Sequence, residues 1–159
     1  MRMASDESIK LDRTDKQKVL FLCFHNSAKS QMAEGLLRAS HGDRYDIYSA
    51  GVKATEVDHR AVKVMREIGI DISHQRSKSW EELRGILFDL AITVCDKARE
   101  LCPICGTVLQ PNSKVPASKK TMHKNFEDPA TASGSEEDQF DTFRRTRDEI
   151  KIWIAQTFG

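Results

Sequence analysis

A short apolar run, Lys18–Cys23, opens straight into the segment Cys23-Phe24-His25-Asn26-Ser27-Ala28-Lys29-Ser30, which is followed by a stretch of helical period, Gln31–Ser40. The run is too short for a helix and reads as a buried strand, while Met32, Leu36 and Leu37 fall at helical spacing. The same alternation continues along the chain. Tyr45–Ser49 is a second expected strand, ending in Ala50-Gly51, and Asp58–Ile68 places Val62, Met65 and Ile68 on one helical face before Gly69. Ile86–Val94 reads as a third strand with Cys95 at its end, and Met122–Phe126 as a short strand leading into Glu127-Asp128-Pro129. Cys102 to Lys120, with Pro103, Pro111 and Pro116, reads mostly as loop. A last helix should begin at Ser135, which has capping-box spacing to Asp138, and bury Phe140, Phe143, Ile150, Ile154 and Phe158. Strands alternating with helices imply an α/β fold, a parallel sheet with helices on both faces. Ligands of such sheets bind beyond the carboxyl ends of the strands, and Cys23, Cys95 and Asp128 all follow expected strands.

Bulk properties narrow the function. A length of 159 residues suits one compact domain, read as 17–159 behind a mobile tail, 1–16. A net charge of +1 gives no global attraction to nucleic acid or membrane. The longest apolar stretches, Val19–Phe24 and Ile86–Val94, are too short to span a bilayer, and Met1–Lys18 lacks the apolar core of a secretory signal. These features lead to the expectation of a cytoplasmic, monomeric protein with no cofactor and no bound metal. Four cysteines, Cys23, Cys95, Cys102 and Cys105, are more than a chain of this kind needs for packing, so thiol chemistry is the first function to test.

The segment after the first strand has the composition of an anion site. A loop curling onto a helix N-terminus aims several backbone N–H groups at one point. A cysteine at its start shares that positive field, which favours the nucleophilic thiolate. Lys29, six residues on, can reach back to a bound oxyanion.

With these residues the sequence resembles the thioredoxin-coupled arsenate reductases, which share a fold with low-molecular-weight tyrosine phosphatases. The resemblance is carried by VLFLC–HNSAKSQMAEG, then YSAG at Tyr48–Gly51, GIDISHQRSK at Gly69–Lys78, VCDKARELCP at Val94–Pro103, FEDPA at Phe126–Ala130 and the RDEI helix at Arg147–Ile150. It implies a four-stranded parallel sheet in a phosphatase-like three-layer sandwich, with Cys23 as nucleophile and Asp128 as general acid. Phe24, His25, Asn26, Ser27, Ala28, Lys29 and Ser30 would form the oxyanion loop, with Asn26 and Ser30 bracing it. The family usually has arginine where Lys29 stands; arginine forks two oxyanion oxygens, whereas lysine is a point charge on a flexible stem. Some members hold a monovalent cation with Asn, Glu, Ser and Asp. Asn26, Glu34 and Ser49 match three of these, but Lys78 occupies the fourth position, so its ammonium is expected to replace the cation.

Cys95 and Cys102 match the relay pair that distinguishes the reductases from the simple phosphatases. The resemblance implies that arsenate is reduced through Cys23, Cys95 and Cys102, with thioredoxin regenerating the thiols and phosphate or sulfate competing. If Asp96–Leu101 is helical, residues seven apart lie about 10.5 Å apart along the axis, beyond the roughly 7 Å that a disulfide tolerates. Closing Cys95–Cys102 therefore requires this helix to unwind. Two alternatives stay open: a tyrosine phosphatase using only Cys23 and Asp128, or a non-catalytic oxyanion or metalloid redox sensor. Cys102-Pro-Ile-Cys105 resembles half a zinc ribbon whose second half is missing. His41, His59, His74 and His123 read as surface or structural, Trp80 and Trp153 as packing residues, and Arg144-Arg145-Thr146-Arg147 as a solvated face.

Overall fold

A computed structural model describes residues 16–101 and 117–159. Four parallel strands form the main sheet: β1 (Gln17–Cys23), β2 (Tyr45–Gly51), β4 (Leu90–Thr93) and β6 (Thr121–His123), in the order β2-β1-β4-β6. Alternation along β1 sends Val19, Phe21 and Cys23 to one face and Leu20 and Leu22 to the other.

Against the first face pack three helices, α1 (Lys29–His41), α2 (His59–Glu67) and α4 (Glu136–Phe158). Their apolar stripes include Met32, Leu37, Val64, Met65, Phe143 and Ile150, all fully buried. Trp80 and Leu83, on a 3-10 turn at Trp80–Leu83, cover the second face together with Phe88. A short helix, α3 (Asp96–Leu101), follows β4. Ser135 caps α4 through a complete capping box with Asp138, as the spacing predicted.

The expected third strand is divided. Leu87–Phe88 (β3) pairs with Ala117–Ser118 (β5) in a separate ribbon, and only Leu90–Thr93 joins the main sheet. The break falls at Asp89, whose carboxylate accepts from the Lys18 N–H at 2.8 Å and pairs with Lys119 at 3.2 Å. A carboxylate cannot enter the apolar layers on either side, so the strand jogs where the side chain can stay hydrated.

The C-terminal arginine cluster also departs from a uniformly solvated face. Arg147 is buried, donating to the Val64 carbonyl at 2.8 Å and to Glu67 at 3.1 Å. Arg144 gathers Glu67, Glu137 and Asp141. These contacts lock α4 onto α2, and only Arg145 behaves as expected of an exposed residue.

The strand order sets up the site. From β1 the chain passes to β2 on one side, and β4 then joins on the other. The loops leaving β1 and β4 therefore diverge at the centre of the carboxyl edge, the usual place for a ligand crevice.

Candidate active site

The loop leaving β1 is held from outside. The carbonyls of Cys23, Phe24 and His25 accept from the N–H groups of Val52, Lys53 and Thr55, at 3.2, 2.8 and 3.3 Å. Gln31 Nε2 holds the Asn26 carbonyl at 3.0 Å, the Asp58 N–H holds that of Ser27 at 2.8 Å, and the Met32 N–H holds that of Ala28 at 2.9 Å. Six successive carbonyls thus face away from the hollow. Among the described residues, no oxygen accepts a hydrogen bond from any backbone N–H between Phe24 and Ser30. Buried N–H groups without acceptors are costly, and a bound anion supplies what they lack.

Asn26 shapes the turn. It sits in the left-handed region at φ 53°, which asparagine tolerates better than most side chains, and it is fully buried. Its Nδ2 donates to Ser30 Oγ at 2.7 Å and Ser49 Oγ at 3.0 Å, while its Oδ1 accepts from Gln31 Nε2 and the Lys78 N–H, each at 2.9 Å. Gly51 makes room: a Cβ there would lie 2.7 Å from the Phe24 carbonyl oxygen and 2.9 Å from the Asn26 nitrogen. Helix α1 has Ala28 at its N-cap, with no side-chain cap and no acid in its first turn, whereas Asp58, Ser79, Asp128 and Ser135 cap α2, the Trp80–Leu83 turn, the Pro129–Thr131 turn and α4. Its leading N–H groups are left for an external acceptor.

A cavity of about 260 Å³ opens over this loop, lined by Cys23, Phe24, Lys29, Cys95, Lys97 and Asp128 among others. Cys23 ends β1 and is buried, while Cys95 precedes α3 and is half-buried, its Sγ accepting from the Ala98 N–H at 3.4 Å. The two thiols line the same cavity and shift each other's protonation in opposite directions. The neighbouring Cys23 thiol is the main cause that brings Cys95 down to about 6, helped by the Ala98 N–H and Lys29 against the cost of burial. The Cys95 thiolate, together with burial, pushes Cys23 up, opposed by Lys29 and the Phe24 N–H. Asp128 is exposed at the cavity edge, and its carboxylate caps the Pro129–Thr131 turn through the Ala130 N–H at 3.0 Å.

Lys29 is only 4% exposed, and its Nζ donates to the Phe126 carbonyl at 2.7 Å. One ammonium therefore ties the anion loop to the segment carrying Asp128, a long-range contact with no signal in local sequence. Ser30 lies beneath the loop as acceptor for Asn26, Ser27 is half-buried, and the exposed His25 packs edge-on against Phe24 at 4.7 Å. Cys102 and Cys105 lie outside the described residues.

Asn26, Glu34 and Ser49 do cluster, but the Lys78 ammonium is not seated among them. It donates to the Arg76 carbonyl at 3.1 Å, and burial lowers its pKa against the pull of Glu34. Glu34 is instead neutralised by Arg38 at 2.6 Å and accepts from Ser49. His123 bridges Thr93 Oγ1 and Asp96 Oδ1, each at 2.7 Å, joining β6 to the start of α3.

A thiol at the head of an outward-pinned loop, beneath a uncapped helix and facing an acid across a small cavity, is an arrangement for attack on a tetrahedral oxyanion. Residues 18–158 match the family described as low molecular weight phosphotyrosine protein phosphatase, and the chain belongs to that family. Its relatives include the arsenate reductase of Halalkalibacterium halodurans, 43% identical over 86% of this chain and 91% of that protein. The arsenate reductase of Bacillus subtilis is 41% identical over 83% and 88%. Among solved structures, an arsenate reductase in the oxidized state superposes with a TM-score of 0.70 at 28% identity, covering 88% of this chain and 95% of that one. A low-molecular-weight protein tyrosine phosphatase from T. tengcongensis gives 0.67 at 26% identity, covering 90% and 98%.

Proposed function

We propose that this protein reduces arsenate to arsenite through Cys23, Cys95 and Cys102, with thioredoxin returning the thiols to their reduced state. The observation that carries this reading is that Cys23 and Cys95 line one cavity with Asp128: phosphate-ester hydrolysis needs the first thiol alone.

As arsenate enters the N–H cradle, the Cys23 proton passes to the neighbouring Cys95 thiolate. The Cys23 thiolate attacks arsenic, and Asp128 protonates the oxygen that leaves as water. Cys95 then releases the proton taken from Cys23 to water and, as thiolate, attacks the Cys23 sulfur. The S–As bond breaks, its electron pair reduces As(V) to As(III), and arsenite departs from a Cys23–Cys95 disulfide. Cys102 thiolate attacks Cys95, freeing Cys23, and the dithiol of thioredoxin reduces the resulting Cys95–Cys102 bond.

The test is NADPH oxidation with thioredoxin and thioredoxin reductase across a range of arsenate concentrations. Saturable turnover that vanishes in Cys95→Ser and Cys102→Ser supports the relay. Hydrolysis of aryl phosphate that survives both substitutions, without arsenate turnover, would make the protein a phosphatase instead.

A further inference from the structure

The cavity contains a second cation that the relay leaves without a role. Lys97 lines it together with Cys23, Cys95 and Asp128, and its Nζ rests 4.1 Å from the centroid of the Phe24 ring. Lys97 is exposed, so nothing in packing obliges its stem to fold inward. A free lysine side chain samples many rotamers in water; the face of Phe24, itself the first residue of the anion loop, confines this one to the cavity mouth. The first turn of a helix is also where a lysine contributes least to helix stability, because its charge opposes the helix dipole.

We propose that Lys97 is an anion-recruiting residue of this site, drawing a doubly charged tetrahedral oxyanion such as arsenate or phosphate into the loop and sharing its charge with Lys29. The inference rests on reading the cavity as an oxyanion site, and it adds a determinant outside the loop. With Lys29 spending a donor on Phe126, one buried ammonium meets a dianion incompletely, and Lys97 supplies the balancing charge from the rim. Because the rim is wet, this contribution is steering and screened attraction, so it weakens as salt shortens the Debye length below about 8 Å. Lys97 also belongs to α3, the element between Cys95 and Cys102, which places the second cation on the segment that the relay must rearrange.

The test compares Lys97→Met, which keeps an apolar stem on Phe24 without the charge, with Lys97→Arg, which keeps the charge. Binding of inorganic phosphate to the reduced full chain is measured by calorimetry at low and high salt. In parallel, alkylation of Cys23 and Cys95 by anionic iodoacetate and neutral iodoacetamide is followed by peptide mass, the rate ratio reporting local potential. Lys97→Met should weaken phosphate binding about three- to tenfold at low salt, lower the iodoacetate preference similarly, and approach the parent as salt rises. It should raise the arsenate KM with little change in kcat, and Lys97→Arg should stay within about twofold of the parent throughout. Unchanged phosphate affinity and alkylation ratio in Lys97→Met would overturn the proposal, as would Lys97→Arg behaving like Lys97→Met. Arsenate turnover on the same preparations separates the two readings. Absent turnover with the expected phosphate response sinks the reductase and leaves Lys97; normal turnover with an indifferent Lys97→Met sinks Lys97 alone.

Discussion

Two substitutions at Lys29 size what its ammonium contributes to anion capture. The group has three donors, and one is committed to the Phe126 carbonyl at 2.7 Å, which leaves two for an oxyanion. Lys29→Met removes all three while keeping a stem of similar length. Losing one charge-assisted hydrogen bond to the anion costs about 1.5–3 kcal/mol, or roughly ten- to 150-fold in kcat/KM. Lys29→Arg has five donors in a fixed fork, enough to keep Phe126 and still meet two oxyanion oxygens in parallel. It should gain about 1–3 kcal/mol, roughly five- to 150-fold in arsenate efficiency, most of it in KM. Lys29 is only 4% exposed, so the larger head must displace neighbours, and thermal unfolding of both variants belongs beside the kinetics. The assay is thioredoxin-coupled NADPH oxidation across arsenate concentrations. If Lys29→Met stays within about threefold of the parent, the ammonium does not touch the anion and its bond to Phe126 is its whole role.

Three other outcomes follow from the same geometry. Cys95 has its pKa lowered to about 6, so its thiolate predominates above that pH and its iodoacetamide rate should rise through that value. Cys23→Ala removes the largest cause and should move the inflection upward; a parent inflection near the ordinary thiol value of about 8.5 would refute the influence of Cys23. Gly51→Ala places a Cβ 2.7 Å from the Phe24 carbonyl oxygen, so the loop must move. A stability loss of about 1–3 kcal/mol in urea is expected along with loss of phosphate binding, and an alanine variant that binds normally would refute the close approach. Asp128→Asn should lower kcat by about 10²–10⁴-fold while phosphate affinity stays near the parent's, since the acid acts on the leaving oxygen and not on the cradle.

Much of this was legible because the determinants are local. Met32, Leu36 and Leu37 declare α1 by their spacing, and Ser135 with Asp138 marks the start of α4. The loop between Cys23 and Ser30 could be read as an anion site from its position between strand and helix. What escaped depends on partners distant in sequence. Asp89 looked like a blemish in one strand, because its pairing with the Lys18 N–H exists only once β1 lies alongside. Arg147 looked solvated, because its acceptor Val64 belongs to another helix. Lys78 was expected to reach Glu34, but Arg38, one helical turn from Glu34, takes that carboxylate. The outward pinning of the loop by residues 52–58 has no sequence signature, since backbone N–H groups supply it.

The adjacency of β1 and β4 has a consequence for the chain as a polymer. Cys23 and Cys95 stand near neighbours in the fold yet 72 positions apart in sequence (95 − 23), so a bond between them would close a very large ring. By loop entropy such a crosslink would disfavour the unfolded chain by about 4 kcal/mol, whereas a Cys95–Cys102 bond closes a far smaller ring and disfavours it by about 2.5 kcal/mol. A chain arrested at the first disulfide should therefore be the most heat-resistant form in the proposed cycle, and passing the bond on to Cys102 would give back about 2 kcal/mol of that constraint while keeping the rest.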